Sequence, residues 1–278
     1  MQVETVDQAK IEYLKQMART IRIDIIKMLA EAGSGHPGGS LSSVEILVSL
    51  FFYKMRHDPK NPKWEDRDRF VLSKGHGVSA LYAALAEAGY FPKDELMTFR
   101  KFGSRLQGHS DSVTAPFIEV STGSLGQGLS LANGMGLAAR LQGKKWRTYV
   151  LMGDGEQGEG QIWEAASTAA YYKIDNVTAI IDKNGLQQNG PTITLKSMEP
   201  LDEKWKAFGY HVIEINGHDV EQVVRALDEA ETIKGKPTVI IANTVKGKGV
   251  SFMENVPGFH GKAPTKEQAV QALKELGA

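Results

Sequence analysis

Apolar residues Ile11, Leu14, Ala18, Ile21, Ile25 and Met28 recur at three- and four-residue steps, the spacing that lines one face of an α-helix. The pattern predicts a long first helix ended by Gly33. Ser42 and Glu45 have capping-box spacing ahead of the apolar run 46–53, so a second helix is expected to begin at Ser42. Beyond it, β-rich runs at 69–72, 147–152, 177–182, 210–215 and 237–245 alternate with helical patterns at 76–88, 125–141, 160–172 and 220–230, and 265–276 closes the chain as a helix. Strands separated by helix-length segments cannot form hairpins and require parallel crossovers. A parallel sheet must be covered on both sides. The expected fold class is α/β, a mostly parallel sheet with helices on both faces, in a single domain over 1–278.

Composition narrows the function classes. With 33 Lys and Arg against 33 Asp and Glu the formal charge is zero, which disfavours nucleic acid or an anionic membrane as a main partner. Cysteine is absent, so disulfides, thiolate metal sites and cysteine nucleophiles are excluded. The longest apolar runs fall short of the roughly 18 residues of a membrane span, and residues 1–10 are too polar and acidic for a signal peptide. A cytoplasmic protein is expected.

Glycine departs from the average, with 29 residues, many of them grouped at 33–39, 75–77, 123–128, 153–160 and 247–249. Each group follows an expected strand or precedes an expected helix. Ligands of open α/β sheets bind at the carboxyl ends of strands, where glycine lets backbone amides approach a phosphate. Gly153-Asp154-Gly155-Glu156-Gln157-Gly158 matches G-x-G-x-x-G, the dinucleotide fingerprint. Asp154 argues against that use, since two like charges about 4 Å apart repel by roughly 4 kcal/mol at an effective dielectric near 20. A bridging Mg²⁺ removes the conflict. Its further ligands would come from the neighbouring strand end, where Asn184 offers a neutral carbonyl oxygen and the backbone near Leu186 another.

Gly-Asp-Gly ending one strand and Asn ending the next resembles the pattern of thiamine-diphosphate enzymes. Gly35-His36-Pro37-Gly38-Gly39, Ser73-Lys74-Gly75-His76, Gly108-His109-Ser110, Thr122-Gly123-Ser124-Leu125-Gly126-Gln127-Gly128, Glu159-Gly160 and His260-Gly261 resemble the motifs of transketolase, in its order and along nearly the whole chain. The resemblance implies the thiamine-diphosphate-binding (PP-type) fold. It matches the amino-terminal half of a full-length transketolase. The implied object is therefore the diphosphate-binding subunit of a split enzyme, with pyrimidine-binding and C-terminal domains on a partner chain, two copies of each.

The implied reaction transfers a two-carbon ketol unit from a ketose phosphate to an aldose phosphate, with thiamine diphosphate and Mg²⁺ as cofactors. By resemblance His36 and His260 face the reacting oxygens, His109 holds a donor hydroxyl, and His76 with His260 approaches the diphosphate. Histidine suits proton transfer because its pKa lies near working pH. Gly123 and Leu125 would contact the cofactor rings, with Gln188 nearby. Gly153, Asp154, Gly155, Glu156 and Asn184 would hold the diphosphate, and Asp154, Asn184 and Leu186 the metal. Glu159 resembles a glutamate at the dimer contact, although an exposed first-turn residue reads equally well from the sequence. Lys183 stands where many members carry Asn or Asp, which removes no ligand. Lys74 reads either as a phosphate ligand or as a solvated lysine, and His57, His211 and His218 lie outside the motifs, with His218 in a structural turn. The glutamate that activates the aminopyrimidine belongs to the missing half, so this chain alone is expected to be inactive. Alternatives are the α subunit of a 2-oxoacid dehydrogenase, a synthase of the deoxyxylulose-phosphate type, a nucleotide-dependent oxidoreductase, or a catalytically silent module.

Overall fold

In the computed structural model, which describes residues 7–278, helix α1 (Gln8–Ala32) is capped by Asp7, whose carboxylate accepts from Ala9 N at 3.0 Å. Most of the polar stretch 1–10 lies outside the described residues. Gly33 ends α1 with φ +62°, a left-handed conformation that costs glycine nothing.

The capping box expected at Ser42 does not form. Two short helices, α2 (Pro37–Leu41) and α3 (Val44–Ser49), stand there instead, without side-chain caps. Ser42 Oγ donates to the Asp182 carboxylate at 2.6 Å, and Glu45 is buried against Arg22. Long-range charge partners have outcompeted the local cap. The apolar run continues through a π-turn at Leu50–Lys54.

Strand β1 (Arg69–Leu72) leads through the turn Gly75–Gly77 into α4 (Val78–Glu87). A long irregular stretch precedes α5 (Gln127–Leu141), and β2 (Thr148–Gly153), α6 (Gly160–Tyr171) and β3 (Val177–Lys183) follow. A small hairpin, β4 (Leu186–Gln187) and β5 (Gly190–Pro191), leads to α7 (Thr192–Leu195) and α8 (Leu201–Ala207). Strand β6 (His211–Asn216), α9 (Val220–Thr232), β7 (Thr238–Asn243) and α10 (Lys266–Glu275) complete the chain. Thr265 and Gln268 form a capping box at the start of α10.

The five long strands are parallel, in the order β1-β2-β3-β7-β6. The β2–α6–β3 step moves one way along the sheet and β6–α9–β7 the other. Right-handed crossovers of opposite direction place their helices on opposite faces. Accordingly Ile162 and Ala166 of α6 share a core with Val150, Ile181 and Ile241, whereas Val223 and Leu227 of α9 share the other with Leu151, Ile180 and Ile240. Adjacent residues of each strand thus serve different cores, as the pleat requires. Helix α8, which the sequence pattern does not announce, buries Trp205 against Trp163 with ring centroids 5.3 Å apart. Among the described residues no helix is long and apolar enough to cross a membrane.

Parallel strands end on one side, which brings Ser73, Asp154, Asn184 and Thr244 together at the carboxyl edge of the sheet. Close contact of α5 with β1 supports this edge: a Cβ on Gly128 would sit 2.3 Å from Ser73 Oγ. Gly128→Ala should therefore destabilise the chain by about 1–3 kcal/mol in urea unfolding. Gly134→Ala, on the same helix with nothing within 4 Å of the added carbon, should raise stability by about 0.5–1 kcal/mol.

Candidate active site

Asp154 leaves the end of β2 and bridges to the turn after β3, accepting Gly155 N–H at 2.8 Å and Gly185 N–H at 2.6 Å. Burial, together with the neighbouring Asp182 carboxylate, pushes its pKa up to about 6. Glu156, also buried, accepts from Ser73 Oγ and from the amides of Gly126 at 2.8 Å and Gly153 at 3.0 Å. The Gly153 and Gly155 amides of the G-x-G-x-x-G loop are thus held by the chain's own carboxylates. Any pyrophosphate would find those two amides taken, which disfavours the dinucleotide fingerprint and with it the oxidoreductase alternative. It also leaves Gly153, Gly155 and Glu156 to shape the loop rather than to bind a diphosphate through these groups.

The donor set around Asp154 consists of hard oxygens. Asn184 donates through Nδ2 to Asp182 at 3.0 Å, and its Oδ1 accepts from Leu186 N at 3.1 Å. The Leu186 carbonyl accepts from Lys246 Nζ at 2.8 Å. One carboxylate, one amide oxygen and one main-chain carbonyl suit Mg²⁺, which keeps few protein ligands and favours phosphate oxygens and water. One feature fits a cation here: the buried Asp154 carboxylate accepts only the Gly155 and Gly185 amides and forms no ion pair among the described residues, with Lys246 the one positive charge that lowers its pKa. No three His, Asp or Glu side chains among the described residues form a metal cluster, so an ion would complete its shell from a ligand.

Four imidazoles line the rest of the cleft. The His36 ring centroid lies 5.3 Å from that of His76, 5.6 Å from His260 and 5.9 Å from His109, and His76 stacks on His260 at 5.1 Å. Burial, then the Arg100 charge, brings the pKa of His36 down to about 4. Burial and Lys246 bring His260 to about 4, burial and Lys74 bring His76 to about 2, and burial with Arg100 lowers His109. All four are neutral at pH 7, each ring with one donor and one acceptor nitrogen. Lys246 Nζ donates to His260 Nδ1 at 2.9 Å. An ammonium only donates, so neutral His260 carries its proton on Nε2.

Every residue singled out for the site in the sequence lines one cleft of about 330 Å³: His36, His76, His109, His260, Gly123, Leu125, Gly153 to Glu156, Asn184, Leu186 and Gln188. Glu159 is exposed at its rim. Lys183 turns away to an ion pair with Glu199 at 2.9 Å. Lys74 is not solvated: 2% exposed, it pairs with Asp182 and donates to Gly39 O at 2.7 Å. His57 and His211 are partly buried and bonded to Phe51 O and Glu229. His218 packs on Glu45, outside the cleft. Lys246 and Gln187 also line the cleft and were missed by sequence reasoning, although Lys246 directly precedes the glycine group at 247–249.

Residues 13–277 match the family model described as transketolase, thiamine diphosphate binding domain. The chain is 47% identical over 264 residues to an apulose-4-phosphate transketolase subunit of Actinobacillus succinogenes, covering 95% of each. It is 45% identical over 263 residues to a 6-deoxy-6-sulfo-D-fructose transketolase subunit of a Clostridium species, covering 95% of this chain and 96% of the relative. The solved transketolase of Leishmania mexicana superposes with a TM-score of 0.89 at 35% identity, over 95% of this chain but 41% of that one. The five-stranded parallel sheet is thus the thiamine-diphosphate-binding fold, and the chain belongs to the transketolase family through its thiamine diphosphate binding domain.

Proposed function

We propose that this chain is a single diphosphate-binding domain acting as the N-terminal subunit of a thiamine-diphosphate- and Mg²⁺-dependent transketolase, which moves a two-carbon ketol unit from a ketose phosphate to an aldose phosphate. A partner chain bearing pyrimidine-binding and C-terminal domains completes it, in a two-plus-two assembly. The observation that carries this reading is the convergence of four neutral imidazoles and the Asp154, Asn184 and Leu186 oxygens on one cleft. The two bacterial relatives matched over nearly their full length are themselves named as transketolase subunits. These names also favour ketol transfer over the 2-oxoacid dehydrogenase and deoxyxylulose-phosphate alternatives.

Bound thiamine diphosphate supplies the carbon nucleophile that carbon-carbon cleavage beside a carbonyl needs. Asp154, Asn184 Oδ1 and the Leu186 carbonyl would hold the cation, with Gly153, Gly155 and Glu156 shaping the loop beneath it. His76 and Gln188 would line the cofactor's side of the cleft, with Gly123 and Leu125 against its rings. His36 and His109, neutral and partly shielded, can accept a hydroxyl proton from a sugar and return it. His260, protonated on Nε2, is instead equipped to donate to oxygen as negative charge develops there.

Three outcomes test this reading. In calorimetric titration, thiamine diphosphate should bind the chain only with Mg²⁺, and Asp154→Asn should weaken that binding at least about tenfold with an unchanged circular dichroism spectrum. Wild-type affinity in the variant would remove Asp154 from the metal site. His36→Ala and His260→Ala should keep cofactor affinity, yet slow ketol transfer by the partner-reconstituted enzyme about 10²–10⁴-fold; loss of binding with unchanged turnover per bound cofactor would reverse the roles.

The third outcome concerns pH. The folded pKa of His76, about 2, lies below the ordinary 6.5, so the unfolded chain binds a proton that the folded chain refuses. Its contribution to stability is present above pH 6.5 and declines as pH falls toward the folded value. Asp154, raised to about 6, works in the opposite sense, so the comparison is made between variants. His76→Gln should gain stability relative to wild type as urea unfolding is repeated from pH 7 down to pH 4.5, and parallel curves would show that His76 titrates normally.

A further inference from the structure

Lys246 reaches the cleft from the loop after β7, and that loop is gripped on both sides of it from outside the site. Upstream, Val245 N–H donates to His218 Nε2 at 2.8 Å. Downstream, the Lys248 carbonyl accepts from Arg22 Nε at 3.1 Å. Both grips lead to one carboxylate. Arg22 forms a two-pronged pair with Glu45, Nη1 to Oε1 at 2.6 Å and Nη2 to Oε2 at 2.8 Å, and His218 Nδ1 lies 2.9 Å from Glu45 Oε2. A backbone N–H can only donate, so His218 Nε2 is bare and Nδ1 carries the proton toward Glu45.

We propose that His218, oriented by Glu45 and Arg22, is a positioning residue that holds the Val245–Lys248 segment so that Lys246 reaches both the Leu186 carbonyl and His260. Arg22 and Glu45 are 7% and 6% exposed, and the network ties α1 and α3 to the ends of β6 and β7. The Arg22 charge, with His218 bonding, keeps the Glu45 carboxyl down at about 2 against the upward push of burial, which is the largest influence on it. The acceptor that fixes the His218 tautomer is therefore a carboxylate at neutral pH. Lys246 needs such support because it is itself buried, only 2% exposed. A lysine held with poor solvation must be placed by its main chain. This inference deepens the functional reading above and rests on it for its consequence in catalysis, whereas the anchoring itself stands on the hydrogen bonds.

The test uses the purified full chain. An Asn amide reaches about as far as the imidazole Nδ1, and a Gln amide about as far as Nε2. His218→Asn should keep the link to Glu45 and lose Val245, whereas His218→Gln should restore an acceptor for Val245 N–H. In hydrogen exchange, the Val245–Lys248 amides of His218→Asn should exchange about tenfold faster or more relative to Ile240 in β7, the loss expected for one buried hydrogen bond. His218→Gln should stay within about threefold of wild type. Equal acceleration at Ile240, no acceleration in His218→Asn, or no restoration in His218→Gln would each overturn the proposal. A measurement independent of variants is the nitrogen-15 spectrum of wild-type His218: a bare Nε2 with protonated Nδ1 at pH 7.5 supports it, and the opposite tautomer refutes it. Mg²⁺-dependent thiamine diphosphate binding should weaken about tenfold in His218→Asn and recover in His218→Gln. Absence of binding in the wild type counts against the functional reading alone, and the exchange comparison still decides the anchoring.

Discussion

Asp182 has no exposed surface, and a carboxylate in that position is tolerable only if its charge is met on every side. It accepts from Lys74 Nζ, from Ser42 Oγ at 2.6 Å, from Thr244 Oγ1 and from Asn184 Nδ2 at 3.0 Å. Burial pushes its pKa up, but Lys74 and these hydrogen bonds outweigh that and hold it below the ordinary range. The partners come from the end of β1, the α2–α3 junction, the end of β7 and the turn after β3. One buried charge thus sets the relative position of three strand ends and of the amino-terminal helices that carry His36.

The cleft above this pair is electrostatically graded. On one side Asp182 helps to raise the Asp154 pKa; on the other Lys74 helps to lower those of His76 and Lys246. Neutral imidazoles and a carboxylate short of positive charge are two results of the same burial, since low solvation penalises whichever form is charged. Lys246 lies between the two sides, in contact with the Leu186 carbonyl and with His260.

The central strands were legible in the sequence because their residues are buried on both faces, as the runs at 148–152 and 177–182 show. The site residues were legible through glycine groups and local motifs, all of which fold onto the same edge. What stayed hidden depends on partners far along the chain. Nothing beside Lys74 announces Asp182, and nothing beside Glu45 announces Arg22 or His218. Ser42 shows the same effect in reverse, because a sound local capping signal lost to a buried carboxylate. Helix α8 escaped notice because it is seven residues long and buries only Leu201 and Trp205.

The strand order also governs how the molecule comes into being. Strand β7 enters between β3 and β6, so that Thr178 lies beside Thr238 across a long excursion of chain, as Arg69 does beside Thr148. Pairings between distant segments carry a large loop-closure entropy and form late. The edge that gathers Ser73, Asp154, Asn184 and Thr244 exists only once those pairings are made. Completion of the cleft therefore waits on completion of the sheet. Asp154 and Asn184 are joined by the single β2–α6–β3 crossover, whereas Ser73 and Thr244 reach them only when the distant pairings close.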